Sequence, residues 1–587
     1  MCLITCFSLI IYTIYYYYKY SKRKNPLPGP LPLPFIGNLY QFGFLKDDKE
    51  ISNKFIQELF SSYGDIFETY SFNERVIWIN KIDLAEKFLC GNNNIINDNN
   101  EKLEYNYFYL RNKNEIKELK MNEMGIYFNH EYSSWKFNKN VLLKSVTLPK
   151  FLKEIVIELQ EQFKELENYW NDIEPVKSDS VKSNLQIGSS TSSTKKNNNN
   201  INNNIMRHDD KIIDISKWIN CFTLDIFLQS ITREKSFSMA NYFNQIMKDD
   251  EENKLKGIEP ILDKNNLFIS RFKNSLWLLN QFNFKLIGLP QFFKKFFIVY
   301  KLYYRKYFDD YWWFHESLLT IVRTRRLEIS NSPQEKDLKA DMLTCLINYG
   351  LKNDDGRATT DEEIVFMMKE YLSEGIDTIS NTFCYIVYYI CKYPTIKYRM
   401  IEEIDSLYNN QNDTFTYFIL AKLYYCEAVI KEVLRIHSVQ PLISRILNEK
   451  ENIGGYTWDN GQMFCINLHA IHNHESNWNN PEDFDPERFL YLEEKKAEEK
   501  ELNEKDYIGN PFMRKDPLFT FGLGLRSCPA QNLSMIILKT MVVMFLRKYD
   551  VILMDKNLEL QVNYYNMLNN CEELKVKIRP RHNNVNH

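Results

Sequence analysis

What this chain lacks narrows its function first. Neither charge is in excess: 74 Lys and Arg stand against 77 Asp and Glu, a net of −3. That balance excludes the basic field on which nucleic-acid binding depends, so no nucleic-acid partner is expected. The sequence has no CxxC pair, and its 11 cysteines, an odd number at irregular spacing, suggest neither a disulfide framework nor a zinc knuckle. Mostly buried, inert thiols in a chain exposed to the cytosol are the natural expectation. There is no internal repeat, and the charges are interspersed as on an ordinary soluble body. With 587 residues the chain is long enough to bury a large core.

One stretch lacks charge altogether. Residues 2–18 are uncharged, and Lys19, Lys22, Arg23 and Lys24 follow. That length is at the lower edge of the roughly 17–25 residues that span a bilayer. Tyr15 to Tyr18 suit the membrane interface, and the basic cluster suits the cytoplasmic side. No basic segment precedes the run and no small-residue cleavage site follows it, which argues against a removed secretory peptide. The expectation is a transmembrane anchor at 1–20, then a basic and Pro-rich hinge at 21–40, stiffened by the prolines of PLPGPLPLP. The body, 41–587, carries an Asn/Ser-rich insertion at about 175–208, with the run SSTSSTKKNNNNINNN between two helical patterns. It is too polar to form a core and is expected to be disordered; a shorter Asn run at 92–100 reads the same way. Elsewhere helical periodicity dominates, broken mainly by the strand-like IGGYTWDNGQMFCIN at 453–467. The fold class is therefore mainly α with a minor β part.

The segment from Phe521 to Ala530, FGLGLRSCPA, carries the strongest chemical signal, and an apolar helical run follows it. A cysteine at a loop-to-helix junction sits by the positive end of the helix dipole and by free backbone N–H groups. Both favour the thiolate, the form that binds a metal, so Cys528 is the candidate ligand. Gly524 permits a tight backbone, and Arg526 offers a fork of donors to a carboxylate. A second signal is Glu432-Val-Leu-Arg435, whose spacing puts both charges on one helical face, with Arg488 downstream to complete a cluster. A third is a helical pattern from Asp361 to about Lys392. Thr360-Asp-Glu-Glu363 opens it as a capping box, and Pro394 closes it. Gly375, in the middle of this helix, points to a close approach or a kink. His469, His472 and His474 imitate a metal cluster, but no carboxylate stands at zincin spacing and a fourth ligand is missing.

Taken in order, these motifs resemble the cytochrome P-450 family, over nearly the whole chain from the Pro-rich hinge onward. The resemblance implies that 41–587 is a haem-binding monooxygenase domain, with a long central helix over a haem ligated by Cys528 and Phe521, Gly524 and Arg526 in the haem signature. It implies that Glu432, Arg435 and Arg488 form a structural triad. Gly375, Asp377 and Thr378 match the oxygen-activating segment of the central helix. Glu374 stands where a small residue is usual, and is marked as a possible proton donor or binder of a polar substrate group. Trp135 and Lys139 match a propionate-holding Trp-x-x-x-Arg helix, with Lys139 in place of the usual Arg, and Arg445 resembles another propionate position. The implied partners are an NADPH-dependent flavoprotein reductase, O2, a small apolar organic substrate and the membrane. The implied place is the endoplasmic reticulum membrane, single-pass, with the catalytic domain cytoplasmic. Two other readings stay open: a haem protein that does not oxygenate, and a relative that rearranges or dehydrates its substrate without O2.

Overall fold

The computed structural model describes residues 2–42, 58–90, 124–173, 210–247, 271–272, 274–275, 305–331, 341–351, 357–408, 415–491, 518–565 and 568–581. The insertion at about 175–208 and the Asn run at 92–100 lie outside the described residues. In chain order the helices are α1 (Cys2–Ser21), α2 (Ile82–Cys90), α3 (Tyr132–Val146), α4 (Pro149–Asp172), α5 (Ile215–Thr232), α6 (Ser238–Ile246), α7 (Arg305–Asn331), α8 (Met342–Leu351), α9 (Asp361–Lys392), α10 (Pro394–Ser406), α11 (Tyr424–Ile436), α12 (Leu468–His472) and α13 (Gln531–Lys548). The strands are short. They include β1 (Ile66–Ser71), β2 (Glu74–Ile79), β3 (Lys211–Asp214), β4 (Leu442–Ile446), β5 (Glu451–Ile453), β6 (Tyr456–Trp458) and β7 (Met463–Asn467), of which four form one sheet in the order β1-β2-β7-β4, with β2 and β7 parallel. The chain is thus mainly helical with a minor β part.

The central helix α9 begins at the expected box: Thr360 accepts from the Glu363 N–H at 3.2 Å, while Glu363 accepts from the Thr360 N–H at 3.0 Å. From Ile379 to Ile390 it is buried on every side, as a helix through a core must be. α5, α7, α11 and α13 pack along it. A Cβ at Gly375 would collide with the Phe227 ring of α5, so this glycine serves close approach rather than a kink.

The N-terminal segment departs from its expected form. α1 forms over Cys2–Ser21, yet among the described residues no helix is long and apolar enough to cross a membrane. Six tyrosines and Lys19 within it are the reason, because each phenol carries a polar tip. Its C-terminal half lies on the Pro-rich segment: the Tyr12 ring stacks on Phe35 at 4.2 Å, and the Tyr17 hydroxyl donates to the Pro32 carbonyl at 3.2 Å. Nor is the hinge a free spacer. Glu68, 1% exposed, takes ion pairs from Arg23 and Arg75 and accepts from the Leu27 N–H, pinning the hinge to β1.

Candidate functional site

The loop that carries Cys528 is curled by its own backbone. Gly522 N–H donates to Phe519 O at 2.7 Å, Ser527 N–H to Gly524 O at 3.1 Å, and Cys528 N–H to Phe521 O at 2.8 Å. Gly522 and Gly524 both have left-handed φ, 71° and 68°. At Gly524 a side chain would also strike the Leu89 carbonyl at the end of α2, so glycine is required there twice over. Cys528 follows, two residues before Ala530, the N-cap of α13.

The histidine run turns out to hold this loop. The Phe519 N–H donates to His472 Nε2 at 3.0 Å, which places the ring proton on Nδ1, 2.7 Å from the Ser438 hydroxyl. Burial pushes its pKa down to about 3, so the ring is neutral, and both nitrogens are used. Its segment is the short helix α12.

Cys528 differs from the other thiols in what surrounds it. Burial pushes Cys90 up to about 11 and Cys345, Cys391 and Cys465 to about 12, which keeps them inert. Cys528 is only partly covered and opens on the main cavity of the described residues. Facing it across this cavity is one face of α9 that includes Glu370, Glu374, Thr378 and Thr382, a ladder at four-residue spacing. Trp135, Lys139, Arg445, Phe521 and Arg526 line the same cavity.

Of the catalytic and cofactor candidates, two lie elsewhere. Gly524 is turned toward α2, as above. Asp377 opens on a second, polar cavity behind α9, where Asn220 Nδ2 donates to its Oδ1 at 3.3 Å. One residue along a helix is a rotation of about 100°, so Asp377 and Thr378 cannot share a face.

Two cations gather at the Trp135 indole, and a third, Arg445, lines the same cavity. Trp135 of α3 is 2% exposed, with the Lys139 ammonium 5.2 Å and the Arg526 guanidinium 5.0 Å from its ring. Lys139 donates to the Leu525 carbonyl. Arg526 Nη1 donates to Ile126 O at 2.8 Å and its Nη2 to Asn129 O at 2.7 Å, so its fork grips main chain. Arg445 of β4 is 4% exposed and bonds the Ser444 carbonyl at 2.8 Å. This donor set fits an anionic macrocycle: one thiol, one helix face and cations suited to carboxylates all line one cavity.

Sequence reasoning missed Glu370. Its carboxylate accepts from the Ile126 N–H at 2.6 Å and the Tyr127 N–H at 2.9 Å, while Arg526 holds the carbonyls of the same segment. Residues 125–129 are therefore clamped between α9 and the Cys528 loop. The four-residue step back from Glu374 was the signal available.

The triad is brought together. Glu432 and Arg435, both 0% exposed, form a two-pronged pair at 2.7 and 2.9 Å, and Arg488 Nε reaches Glu432 at 3.0 Å. Arg435 also donates to His472 O at 3.0 Å and Asp483 O at 3.1 Å. Through His472 this cluster continues into the Cys528 loop.

A family model described as Cytochrome P450 matches residues 27–181 and 189–577. Among curated proteins the chain is similar to Cytochrome P450 3A28 of Bos taurus, 26% identical over 227 residues, 38% of this chain and 41% of that protein. It is similar to Flavonoid 3'-monooxygenase of Petunia hybrida, 31% identical over 250 residues, 41% of this chain and 46% of that protein. Steroid 17-alpha-hydroxylase/17,20 lyase of Squalus acanthias is 28% identical over 176 residues, 29% of this chain and 34% of that protein. The chain thus spans less than half the length of each of these relatives.

Proposed function

The chain belongs to the cytochrome P450 family, and from that premise we propose that it is a haem-thiolate monooxygenase whose iron is held by Cys528. Membership implies a haem iron on a cysteine thiolate, and one observation supports Cys528 as that cysteine. It alone among the described cysteines lines the cavity that also gathers Trp135, Lys139, Arg445, Arg526 and the Glu374–Thr378 face.

When bound, the haem supplies the activation of dioxygen that no side chain provides. The protein's part is to place, charge and dry the site. Cys528 holds the sulfur at the mouth of α13, whose dipole favours the thiolate. Trp135, Lys139 and Arg445 bind the propionates, and Arg526 adds charge while gripping 126–129. Thr378 Oγ1 donates to the carbonyls of Glu374, at 2.6 Å, and Gly375, at 3.2 Å. Its lone pairs then face the cavity, where they accept a proton donor. Glu374, one turn earlier on the same face, holds a proton at its carboxyl or binds a polar group of the substrate. Asp377 acts from the polar cavity behind the helix and supplies protons from that side. One oxygen atom enters a small apolar organic substrate and the other leaves as water with two protons, while two electrons come from NADPH through a flavoprotein reductase docked on the proximal face.

Attachment to the endoplasmic reticulum membrane through α1, with the body cytoplasmic, belongs to the same reading. It is supported by exposed Phe7, Ile10, Ile11 and Ile14 on α1 and by the basic residues after them.

The test is the absorption spectrum of the reduced protein with carbon monoxide. The parent is expected to give the thiolate-type band and Cys528→Ser to lose it; a variant that keeps the band overturns the assignment. NADPH and O2 consumption with reductase present then separates oxygenation from haem binding alone and from rearrangement without O2.

A further inference from the structure

The wall of the cavity beyond the α9 ladder carries a polar pair that the proposed chemistry does not use. Gln440 and Tyr127 both line the cavity. Gln440 Nε2 donates to the Tyr127 hydroxyl at 3.2 Å. Both are held from behind. Tyr127 is fixed by its own N–H on Glu370, and Gln440 sits between Val439, whose carbonyl accepts from Asn569 N–H at 2.8 Å, and Pro441, whose carbonyl accepts from Leu468 N–H at 2.8 Å. An amide has two ends, and fastening one to Tyr127 sets the direction of the other. With its N–H on the phenol, the Gln440 carbonyl oxygen remains as an acceptor in a cavity whose apolar lining includes Ile126, Val439, Ile443 and Phe227. A polar group placed among apolar lining residues fixes the orientation of a ligand and discriminates against one that lacks the matching group.

We propose that Gln440 is a specificity-determining residue whose Oε1 accepts a hydrogen bond from a hydroxyl group on an otherwise apolar substrate. Tyr127 is the positioning residue that sets the amide. The substrate class is thereby narrowed from apolar molecules in general to apolar alcohols. This inference rests on the proposed haem site, so its test first requires the thiolate-type carbon monoxide band; absence of that band from the parent refutes the site itself, not the role of Gln440.

In haem-loaded full-length protein showing that band, affinities are read from ligand-induced haem spectra for two matched trios. These are menthol, menthone and menthane, and decanol, decanal and decane. The parent is expected to prefer the alcohol over the alkane by roughly tenfold in at least one trio, the worth of about 1.4 kcal/mol, and to prefer it over the carbonyl compound. Gln440→Met should erase the preference for alcohol over alkane while keeping alkane affinity. Tyr127→Phe should keep that preference but lose the discrimination between alcohol and carbonyl compound, because the amide is then free to present its N–H. The comparison within the parent needs no variant, so a misfolded substitution leaves the proposal exposed. Equal affinity for alcohol and alkane in the parent overturns it. So does a preference for the carbonyl compound, an unchanged preference in Gln440→Met, or no spectral response to either trio.

Discussion

The cavity wall that carries Cys528 and the wall that carries Thr378 are built on different plans. Behind Cys528 the bonds run deep and in series: Arg488 to Glu432, Glu432 to Arg435, Arg435 to the His472 carbonyl, and His472 Nε2 to Phe519. Glu432, Arg435 and His472 are each 0% exposed. On the α9 side the polar groups are attached one by one. Glu370 holds two main-chain N–H groups, Thr378 bonds its own helix, and Asp377 faces a separate cavity. In the serial wall one lost member strands its neighbours in low dielectric, whereas in the parallel wall a loss stays local. The first plan suits a position that must never move. The second suits groups whose chemistry can be altered without unfolding the protein.

The triad gives the largest effect by which this contrast can be broken. Glu432→Ala and Arg435→Ala each leave a buried charge unpaired, at a cost of about 3–5 kcal/mol, so little folded, haem-loaded protein is expected. Normal yields from both would show that the serial wall is not needed for folding.

His472 makes the contrast visible in pH. Burial first, then the nearby His469 and Arg435, lower its pKa from 6.5 to about 3, so the folded state binds fewer protons than the unfolded one. Its contribution is complete above pH 6.5 and is lost as pH falls toward 3, by about 1.4 kcal/mol for each pH unit. His437, likewise lowered to about 3 by burial, adds a second step in the same window. His472→Gln is expected to make the fall in Tm between pH 6.5 and 4.5 shallower, because glutamine does not titrate. A fall as steep as the parent's would mean that His472 is not the buried neutral group described.

Glu370→Ala should sharpen the other half of the comparison. Two N–H groups lose their acceptor, for a stability loss of about 1–3 kcal/mol, with faster hydrogen exchange confined to Ile126 and Tyr127 and little change at Phe519. Exchange that also rises at Phe519 would show the two walls to be coupled.

The smallest effect on stability is expected from Glu374→Gln and Thr378→Ala, within about 0.5 kcal/mol for Glu374→Gln. Both should instead change the fraction of NADPH that yields product rather than peroxide. Unchanged coupling in both across pH would remove the two residues from the chemistry.

Much of this was legible before any coordinates. The FGLGLRSC segment, the Glu-x-x-Arg pair with Arg488 and the boxed start of α9 are short-range patterns, whose spacing already states which groups lie on one face. What escaped was long-range. Glu370 meets Ile126 across 244 residues and Gln440 meets Tyr127 across 313, and no local period marks such partners. The histidine run shows the same limit: the sequence argued against a metal there but offered no other role, whereas burial and two hydrogen bonds make His472 a clasp for the Cys528 loop.

By itself the sequence determined the mainly helical class and the family and singled out the Cys528 loop, because helix periods, glycine-dependent turns and charge spacings are properties of contiguous residues. The tertiary structure decided which way each group faces. It put Glu374 and Thr378 into the cavity and Asp377 behind it, tied the hinge to Glu68, and turned Arg526 onto the main chain of Ile126 and Asn129. Such choices depend on what packs against an element from distant parts of the chain. The satisfaction of buried polar groups is settled only when those parts meet.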